Sequence, residues 1–190
     1  MSKLRVTYNA PVVLTFALLA VVATLLPDGA KQWFIAAPTL GGARSYVGLV
    51  AHIFGHASWN HLLGNFMLIL LLGPILEERH GSLPLLGMIG ITALVTGLAN
   101  LVLSSHGLLG ASGIVFMMIL LASTANIRAG EIPLTFLAVA LVYLGGEVLS
   151  SFEEDGISQM AHLVGGLTGA ALGFLGARRP PAKPGSATAP

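Results

Sequence analysis

Cysteine is absent from this 190-residue chain, and charged residues make up only 9% of it. The lack of cysteine excludes disulfide frameworks, thiolate metal sites and a cysteine nucleophile. A soluble domain carries about 25% charged residues, so this chain has too few charges for an ordinary water-exposed surface. With a formal net charge of +1 and no basic stripe, it is not expected to bind nucleic acid. Hydrophobic residues, by contrast, reach 55%, which predicts an integral membrane protein.

Six apolar stretches approach the length of about 20 residues that a membrane-spanning helix needs. They cover residues 10–26, 59–76, 83–104, 110–126, 132–149 and 157–176. The intervening stretch 27–58 is interrupted by Pro38 and Gly41, so we expect it to lie at the membrane interface and to be partly helical. The predicted fold is therefore an all-α membrane protein, a bundle of six transmembrane helices in one domain, 1–176. The Pro- and Ala-rich tail 177–190 is predicted to be disordered.

The distribution of Lys and Arg predicts the orientation of this bundle. An even number of spans places both termini on the same side of the membrane. If that side is the cytoplasm, seven cations are cytoplasmic: Lys3, Arg5, Arg79, Arg128, Arg178, Arg179 and Lys183. Only Lys31 and Arg44 are then external. Because cytoplasmic loops carry the excess of basic residues, we expect both termini to be cytoplasmic.

Four of the polar residues within the apolar stretches are the candidates for function. Polar side chains within a membrane are costly and usually functional. His61 and Asn65 lie four residues apart, on one face of the second span. Ser112 opens the fourth span and His162 lies near the start of the sixth. In the predicted orientation all four residues lie in the external halves of their helices and can meet at one level.

These residue types match the chemistry of a serine protease. A serine hydroxyl becomes a nucleophile when a base takes its proton, and histidine suits that role because its pKa is near neutral. We therefore interpret Ser112 as the nucleophile and His162 as its base, with no acidic residue behind it. The oxyanion would be bound by His61, Asn65 and the backbone N–H of Ser112.

Small and aromatic residues are predicted to bring the nucleophile and the base together. A stripe of small residues follows one face of the sixth span: Ala161, Gly165, Gly169 and Gly173. Such a stripe allows two helices to approach closely, here against Gly113 of the fourth span. Phe116, one turn after Ser112, is expected to pack against the imidazole of His162.

Two other interpretations of the histidines remain open from the residues alone. His52, His56 and His61 are of a type and spacing that can bind a metal or haem, although no HExxH motif accompanies them. The same cluster is also compatible with a proton relay in a small transporter. Against the transporter, no internal repeat is evident.

Three segments in order resemble the rhomboid intramembrane serine proteases, in their compact bacterial six-span form. HASWNHLLGNFMLILLLGPILEERHGS, residues 56–82, resembles the family's His-x3-Asn segment, and GASG, residues 110–113, its Gly-x-Ser-Gly motif. AHLVGGLTGAALGF, residues 161–174, resembles its last core helix. The resemblance implies oxyanion roles for His61 and Asn65, a supporting role for His56, and a place for Gly110 beside the oxyanion. It also implies that Ser112 is the nucleophile and His162 the base.

The resemblance further implies what the protein acts on. We expect an endopeptidase, without a metal or other cofactor, that cleaves transmembrane segments of other membrane proteins near their external ends. It would act as a monomer in the bilayer of a bacterial plasma membrane. A catalytically inactive relative that binds membrane helices is the alternative. The sequence departs from the common pattern of the family in two respects: Tyr46 and Val47 stand where a Trp-Arg pair is frequent, and Phe116 stands where Tyr is frequent.

Overall fold

The computed structural model describes residues 7–124, 131–150 and 159–177. The regular elements in these ranges are helices, and their strand-type pairing is one antiparallel bridge between Ala36 and Leu108. In chain order, with η for a 3-10 helix, they are α1 (Pro11–Leu25), α2 (Asp28–Lys31), η1 (Gln32–Phe34), α3 (Ala43–Ala51), η2 (His52–Phe54), α4 (Trp59–His80), α5 (Ser82–Leu103), α6 (Ser112–Ser123), α7 (Leu134–Ser150) and α8 (Gln159–Ala177). The predicted all-α class is confirmed.

Each predicted span overlaps a helix, and two of the differences in boundary occur at glycines with positive φ. The second span was predicted to end at 76, whereas α4 continues to His80 and stops at Gly81, where φ is 89°. The predicted fourth span starts at 110, whereas φ of Gly110 is 121° and α6 begins at Ser112. By length and composition, α4 and α5 are long enough to cross a membrane, and α1, α6, α7 and α8 contain shorter apolar helices.

Helix α6 is the central element of the bundle. Its sequence is apolar all round, which is typical of a helix buried on every side. Ile114, Met117, Met118 and Leu120 have no exposed surface, and α6 contacts α4, α5, α7 and α8. With 12 residues and a rise of about 1.5 Å per residue, it is only about 18 Å long. It is therefore much shorter than the hydrocarbon layer of a bilayer, which is about 30 Å thick.

The small-residue stripe of α8 lies directly against α6, as its sequence predicts. A Cβ atom added at Gly165 would collide with the backbone of Gly113, and one added at Gly169 with the backbone of Met117. On the other side of the contact, a Cβ on Gly113 would lie 3.2 Å from the carbonyl oxygen of Ala161. The two backbones are in contact without intervening side chains, so the first turn of α6 and the start of α8 are close neighbours.

A buried carboxylate fastens α1 to the turn between α4 and α5. Glu77 is 3% exposed and accepts hydrogen bonds from the backbone N–H groups of Val12 and Val13, each at 3.0 Å. It also accepts one from the hydroxyl of Ser82 at 2.7 Å. The first N–H groups of a helix lack intrahelical acceptors, and Glu77 supplies them from another helix.

The outer surface of the bundle is apolar. Large hydrophobic side chains with more than half of their surface exposed include Leu63, Met67, Leu71, Ile75, Leu83, Leu86, Ile91, Val102, Leu141 and Leu167. A soluble monomer rarely exposes so much contiguous apolar surface, whereas lipid covers it at no cost. The fold is thus that of an integral membrane protein.

Some charged residues and most of the predicted tail lie outside the described residues. They are Lys3, Arg5, Arg128, Glu153 to Asp155, and residues 178–190.

Candidate active site

A cavity of about 540 Å³ lies between α4, α6 and α8 and the loop before α6. Ser112, His162, His61 and Asn65 all line it, although they come from three different helices. Phe116 and Leu109 also line its wall. The structure therefore brings together the four polar residues that the sequence indicates, and it does so at the N-terminal ends of their helices.

The loop before α6 holds Ser112 at the first position of the helix. Gly110 has a φ of 121°, a conformation that residues with a Cβ rarely adopt. A Cβ there would also lie 2.7 Å from Nε2 of His61, so the close approach itself requires glycine. The N–H of Gly110 donates to the carbonyl of His52 at 3.0 Å. Ser112 consequently stands at the positive end of the helix dipole, where backbone N–H groups are available to an anion.

One face of the first turns of α4 carries His61 and Asn65. Ser58 caps this helix, since its hydroxyl accepts from the backbone N–H of His61 at 3.2 Å. The side chain of Asn65 is buried, and its Nδ2 lies 3.2 Å from Nε2 of His56. The ring of His56 also meets that of His61 edge to face, with centroids 5.0 Å apart. His56 is thus a neighbour of both predicted oxyanion residues.

The hydrogen bonds of His56 determine how the amide of Asn65 is oriented. Nδ1 of His56 lies 3.2 Å from the carbonyl oxygen of Phe54, so Nδ1 carries the proton and Nε2 is the acceptor. The amide of Asn65 must then direct its NH₂ group toward His56 and the neighbouring Gly110. Burial lowers the pKa of His56 to about 4, which keeps the ring neutral and able to accept. The result is a preoriented donor group at the side of the cavity.

His162 is held by aromatic stacking on α6. Its ring lies parallel to that of Phe116, with centroids 4.5 Å apart and an interplanar angle of 7°. The ring of Tyr143, on α7, makes an edge-to-face contact with that of Phe116, and the centroids of the two rings are 6.0 Å apart. The predicted packing of Phe116 against His162 is confirmed. The stacking fixes the plane of the imidazole ring and therefore the plane in which its two nitrogens lie.

Two contacts at the site are not evident from the sequence. The ring of His52 is buried between the carbonyl of Gly48 and the hydroxyl of Thr96, each 3.2 Å away, while its own carbonyl holds Gly110. Thr96 is 44 residues from His52 along the chain, so no local spacing reveals the pair. The second is the contact of Tyr143 with Phe116, which no motif of the sequence indicates.

The histidines of the loop before α4 do not form a metal site in the described part of the chain. Both ring nitrogens of His52 and of His56 are engaged in hydrogen bonds with carbonyl, hydroxyl or amide groups. Within the described ranges there is also no group of three or more His, Asp or Glu residues able to hold a metal ion. The residues present therefore fit hydrogen bonding and packing roles better than metal ligation.

A cavity lined by serine, histidines and asparagine within an apolar helical bundle defines the class: an integral membrane protein with a candidate hydrolase site. The family model described as the Rhomboid domain matches residues 43–179. The chain is 33% identical over 155 residues to Rhomboid-related protein 1 of Caenorhabditis elegans, which aligns 75% of this chain but only 42% of that protein. It is 24% identical over 129 residues to Rhomboid protease GlpG of Haemophilus influenzae, covering 66% of this chain and 67% of that protein. The chain belongs to the rhomboid family.

Proposed function

We propose that this protein is an intramembrane serine endopeptidase that uses Ser112 and His162 as a catalytic dyad. The observation that carries the proposal is the cavity that both residues line together with His61 and Asn65. The stacking of His162 on Phe116, one turn beyond Ser112, gives the base a fixed plane beside the nucleophile. The relative named as a protease in Haemophilus influenzae supports the same reading.

In the proposed reaction, Oγ of Ser112 attacks the carbonyl carbon of the scissile peptide while His162 takes the hydroxyl proton. The resulting oxyanion accepts hydrogen bonds from the amide of Asn65, the imidazole N–H of His61 and the backbone N–H of Ser112. His162 then gives the proton to the leaving amine, and an acyl ester remains on Ser112. Water, deprotonated by His162, attacks this ester, releases the new carboxyl group and restores the serine.

The proposed substrates are transmembrane segments of other membrane proteins, cut near their external ends. We propose a six-span arrangement of α1, α4, α5, α6, α7 and α8 with both termini in the cytoplasm, in which the cavity faces the external side. Ser112, at the start of the short helix α6, is proposed to lie below the external membrane surface. We further propose one domain over residues 1–176 with a cytoplasmic tail, acting as a monomer in a bacterial inner membrane. A substrate helix must unwind locally, because its intrahelical hydrogen bonds shield the carbonyls from attack.

Covalent labelling by a fluorophosphonate tests the proposal on the purified protein in detergent and in lipid vesicles. The wild type is expected to be labelled at Ser112 and to cleave a reporter transmembrane protein, whereas Ser112→Ala does neither. Ser123→Ala is the matched control: this serine lies on the same helix, and its hydroxyl donates to the carbonyl of Leu120 at 2.7 Å. Ser123→Ala is expected to retain both labelling and cleavage.

The same experiment separates the alternatives. Folded wild-type protein that neither labels nor cleaves, yet still binds the reporter helix, is an inactive rhomboid relative. Cleavage that survives in Ser112→Ala but is abolished by a chelator points to a metal site. Either result excludes the dyad.

A further inference from the structure

A groove of about 300 Å³ lies between α1 and α5 and shares no lining residue with the proposed active site. It opens to the apolar outer surface of the bundle, because Leu19 and Leu86, on its two walls, are 48% and 52% exposed. Seven of the eight residues that line it are apolar. The eighth is Thr15, whose hydroxyl is hydrogen-bonded to that of Tyr8 at 2.9 Å. The groove therefore suits an apolar occupant.

The size of the groove favours a hydrocarbon chain over a helix as that occupant. Along α1 its lining residues run from Pro11 to Leu19, a length of about 12 Å at a rise of about 1.5 Å per residue. One leaflet of the hydrocarbon core is about 15 Å thick, half of the whole, so a chain from one leaflet can fill this length. A helix is about 10–12 Å across, and a piece of it about 12 Å long occupies about 1,000 Å³. That is roughly three times the volume of the groove, whereas a single acyl chain is thin enough to enter.

The inner wall of the groove contacts the residues behind the proposed oxyanion site. Phe16 and Phe54 belong to this wall, and their rings pack edge to face with centroids 5.2 Å apart. The carbonyl of Phe54 accepts from Nδ1 of His56 at 3.2 Å. The ring of Phe16 contacts that of Phe66, which in turn contacts the ring of His56 at a centroid distance of 5.8 Å. Both aromatic residues of the groove are thus connected to His56, whose Nε2 holds the amide of Asn65.

We propose that the groove between α1 and α5 binds one acyl chain of a membrane phospholipid, and that the bound chain keeps the amide of Asn65 in its donating orientation. An empty groove leaves Phe16 and Phe54 without neighbours on one side, and such a gap forfeits attraction between atoms. The chain supplies those contacts and restricts the movement of Phe54 and of His56, which is bonded to it. In the proposed orientation the chain comes from the cytoplasmic leaflet, because α1 and α5 both begin there. The effect on the reaction rests on the proposed protease function, whereas the binding of the chain does not.

Photocrosslinking in vesicles tests the binding. The full chain is reconstituted in phosphatidylcholine vesicles that contain an increasing fraction of phosphatidylcholine with a diazirine on one acyl chain, and the crosslinked residues are mapped by mass spectrometry. Crosslinks to Thr15 and Phe16 are expected to saturate at one lipid per protein. Crosslinks to Met67, which is exposed on α4 and outside the groove, are expected to rise in proportion to the probe.

Two pairs of tryptophan variants separate the groove from the rest of the apolar surface. Leu19→Trp and Leu86→Trp place a larger ring in the groove from its two walls, and both are expected to lose the saturating crosslinks. Leu18→Trp and Leu94→Trp are the matched controls, at exposed positions of the same helices that do not line the groove. They are expected to keep these crosslinks, and thermal unfolding checks that all four variants are folded.

The rate at which a fluorophosphonate labels Ser112 tests the effect on the site. It is measured in vesicles of dioleoyl phosphatidylcholine and of diphytanoyl phosphatidylcholine, whose methyl branches make the chain too wide for the groove. The wild type and both controls are expected to be labelled at least about fivefold faster with the unbranched chain, the lower end of the usual coupling between two sites. The two groove-filling variants are expected to be labelled at the same rate in both lipids.

The outcomes distinguish this inference from the proposed function. The inference is overturned if the groove crosslinks rise in proportion to the probe, persist in the groove-filling variants, or form between α1 helices of two copies instead. It is also overturned if the lipid changes labelling alike in groove-filling and control variants, or in none. Saturating crosslinks in a protein that is never labelled at Ser112 overturn the protease function and leave the groove as a lipid site.

Discussion

The amide of Asn65 illustrates how single residues prepare the site. It is held by His56, whose own proton is fixed on Nδ1 by the carbonyl of Phe54. A donor that is already oriented stabilises a developing oxyanion without reorganisation, and removing one such donor costs about 10²–10³ in kcat, or about 2.7–4 kcal/mol of barrier. Asn65→Ala is therefore expected to lower kcat on a reporter substrate by that factor while residual activity remains. Asn60→Ala, an exposed position of the same helix, is the control, and a silent Asn65→Ala would contradict the oxyanion role.

Buried neutral histidines predict how stability depends on pH. Burial lowers the pKa of His52 and of His56 from 6.5 to about 4. The unfolded chain therefore binds more protons than the folded one between pH 6.5 and 4, and the free energy of unfolding falls as pH is lowered through that window. The Tm in detergent is expected to drop on acidification from pH 7 to 4.5, and His52→Gln is expected to reduce the drop. His106→Gln, in an exposed loop, should keep the full drop; the same drop in His52→Gln would show that His52 does not contribute.

Not all of these residues are predictable from the sequence. Ser112, His162, His61 and Asn65 are costly polar groups in apolar stretches, so the sequence alone marks them. The pair of His52 and Thr96 is different, because a residue on a short 3-10 helix and one in the middle of α5 meet only through tertiary packing. No periodicity encodes such a contact.

At the scale of elements, the packing of α6 on α8 brings the proposed nucleophile and base together. A Cβ on Gly169 would already collide with the backbone of Met117, and backbone cannot move aside as a flexible side chain can. Gly169→Leu is therefore expected to push the two helices apart, lowering the Tm and abolishing labelling of Ser112. Overpacking of this kind costs about 1–3 kcal/mol or more.

Gly90→Leu provides the comparison for this helix contact. Gly90 is a glycine of α5 whose Cβ would have nothing within 4 Å, so its substitution is expected to leave both Tm and labelling near the wild-type values. If the two leucine variants were equally stable and equally labelled, close contact between α6 and α8 would not be required for the site.

The positions of the helices follow from apolar length, but their ends do not. The start of α6 depends on Gly110, which has a positive φ and whose site for a Cβ is occupied by the ring of His61. Helix α4 ends at Gly81, and it includes Glu77, whose buried carboxylate accepts hydrogen bonds from two N–H groups of α1. A hydropathy profile ends the span near Glu77 because a carboxylate is polar. The N–H groups that satisfy this carboxylate belong to residues 64 and 65 positions away, so the local sequence does not reveal them.

For the whole molecule, the orientation in the membrane decides which compartment the cavity opens to. The excess of basic residues predicts cytoplasmic termini, and several of those residues lie outside the described ranges. The helices themselves fix only the relative arrangement: the loop between α5 and α6 and the loop between α4 and α5 must lie on opposite sides if α5 crosses the membrane. One experiment on these two loops therefore determines the orientation of the cavity.

The absence of cysteine makes that experiment direct, because a single introduced thiol is the only one in the chain. In the proposed orientation Ser105, exposed before α6, is external, and Glu78, exposed near the end of α4, is cytoplasmic. A membrane-impermeant maleimide is expected to label Ser105→Cys on intact cells, and to label Glu78→Cys only after the membrane is permeabilised. Both variants should still react with a fluorophosphonate, which shows that they are folded. The reverse pattern would open the cavity to the cytoplasm, so that substrates would have to be cut near their cytoplasmic ends.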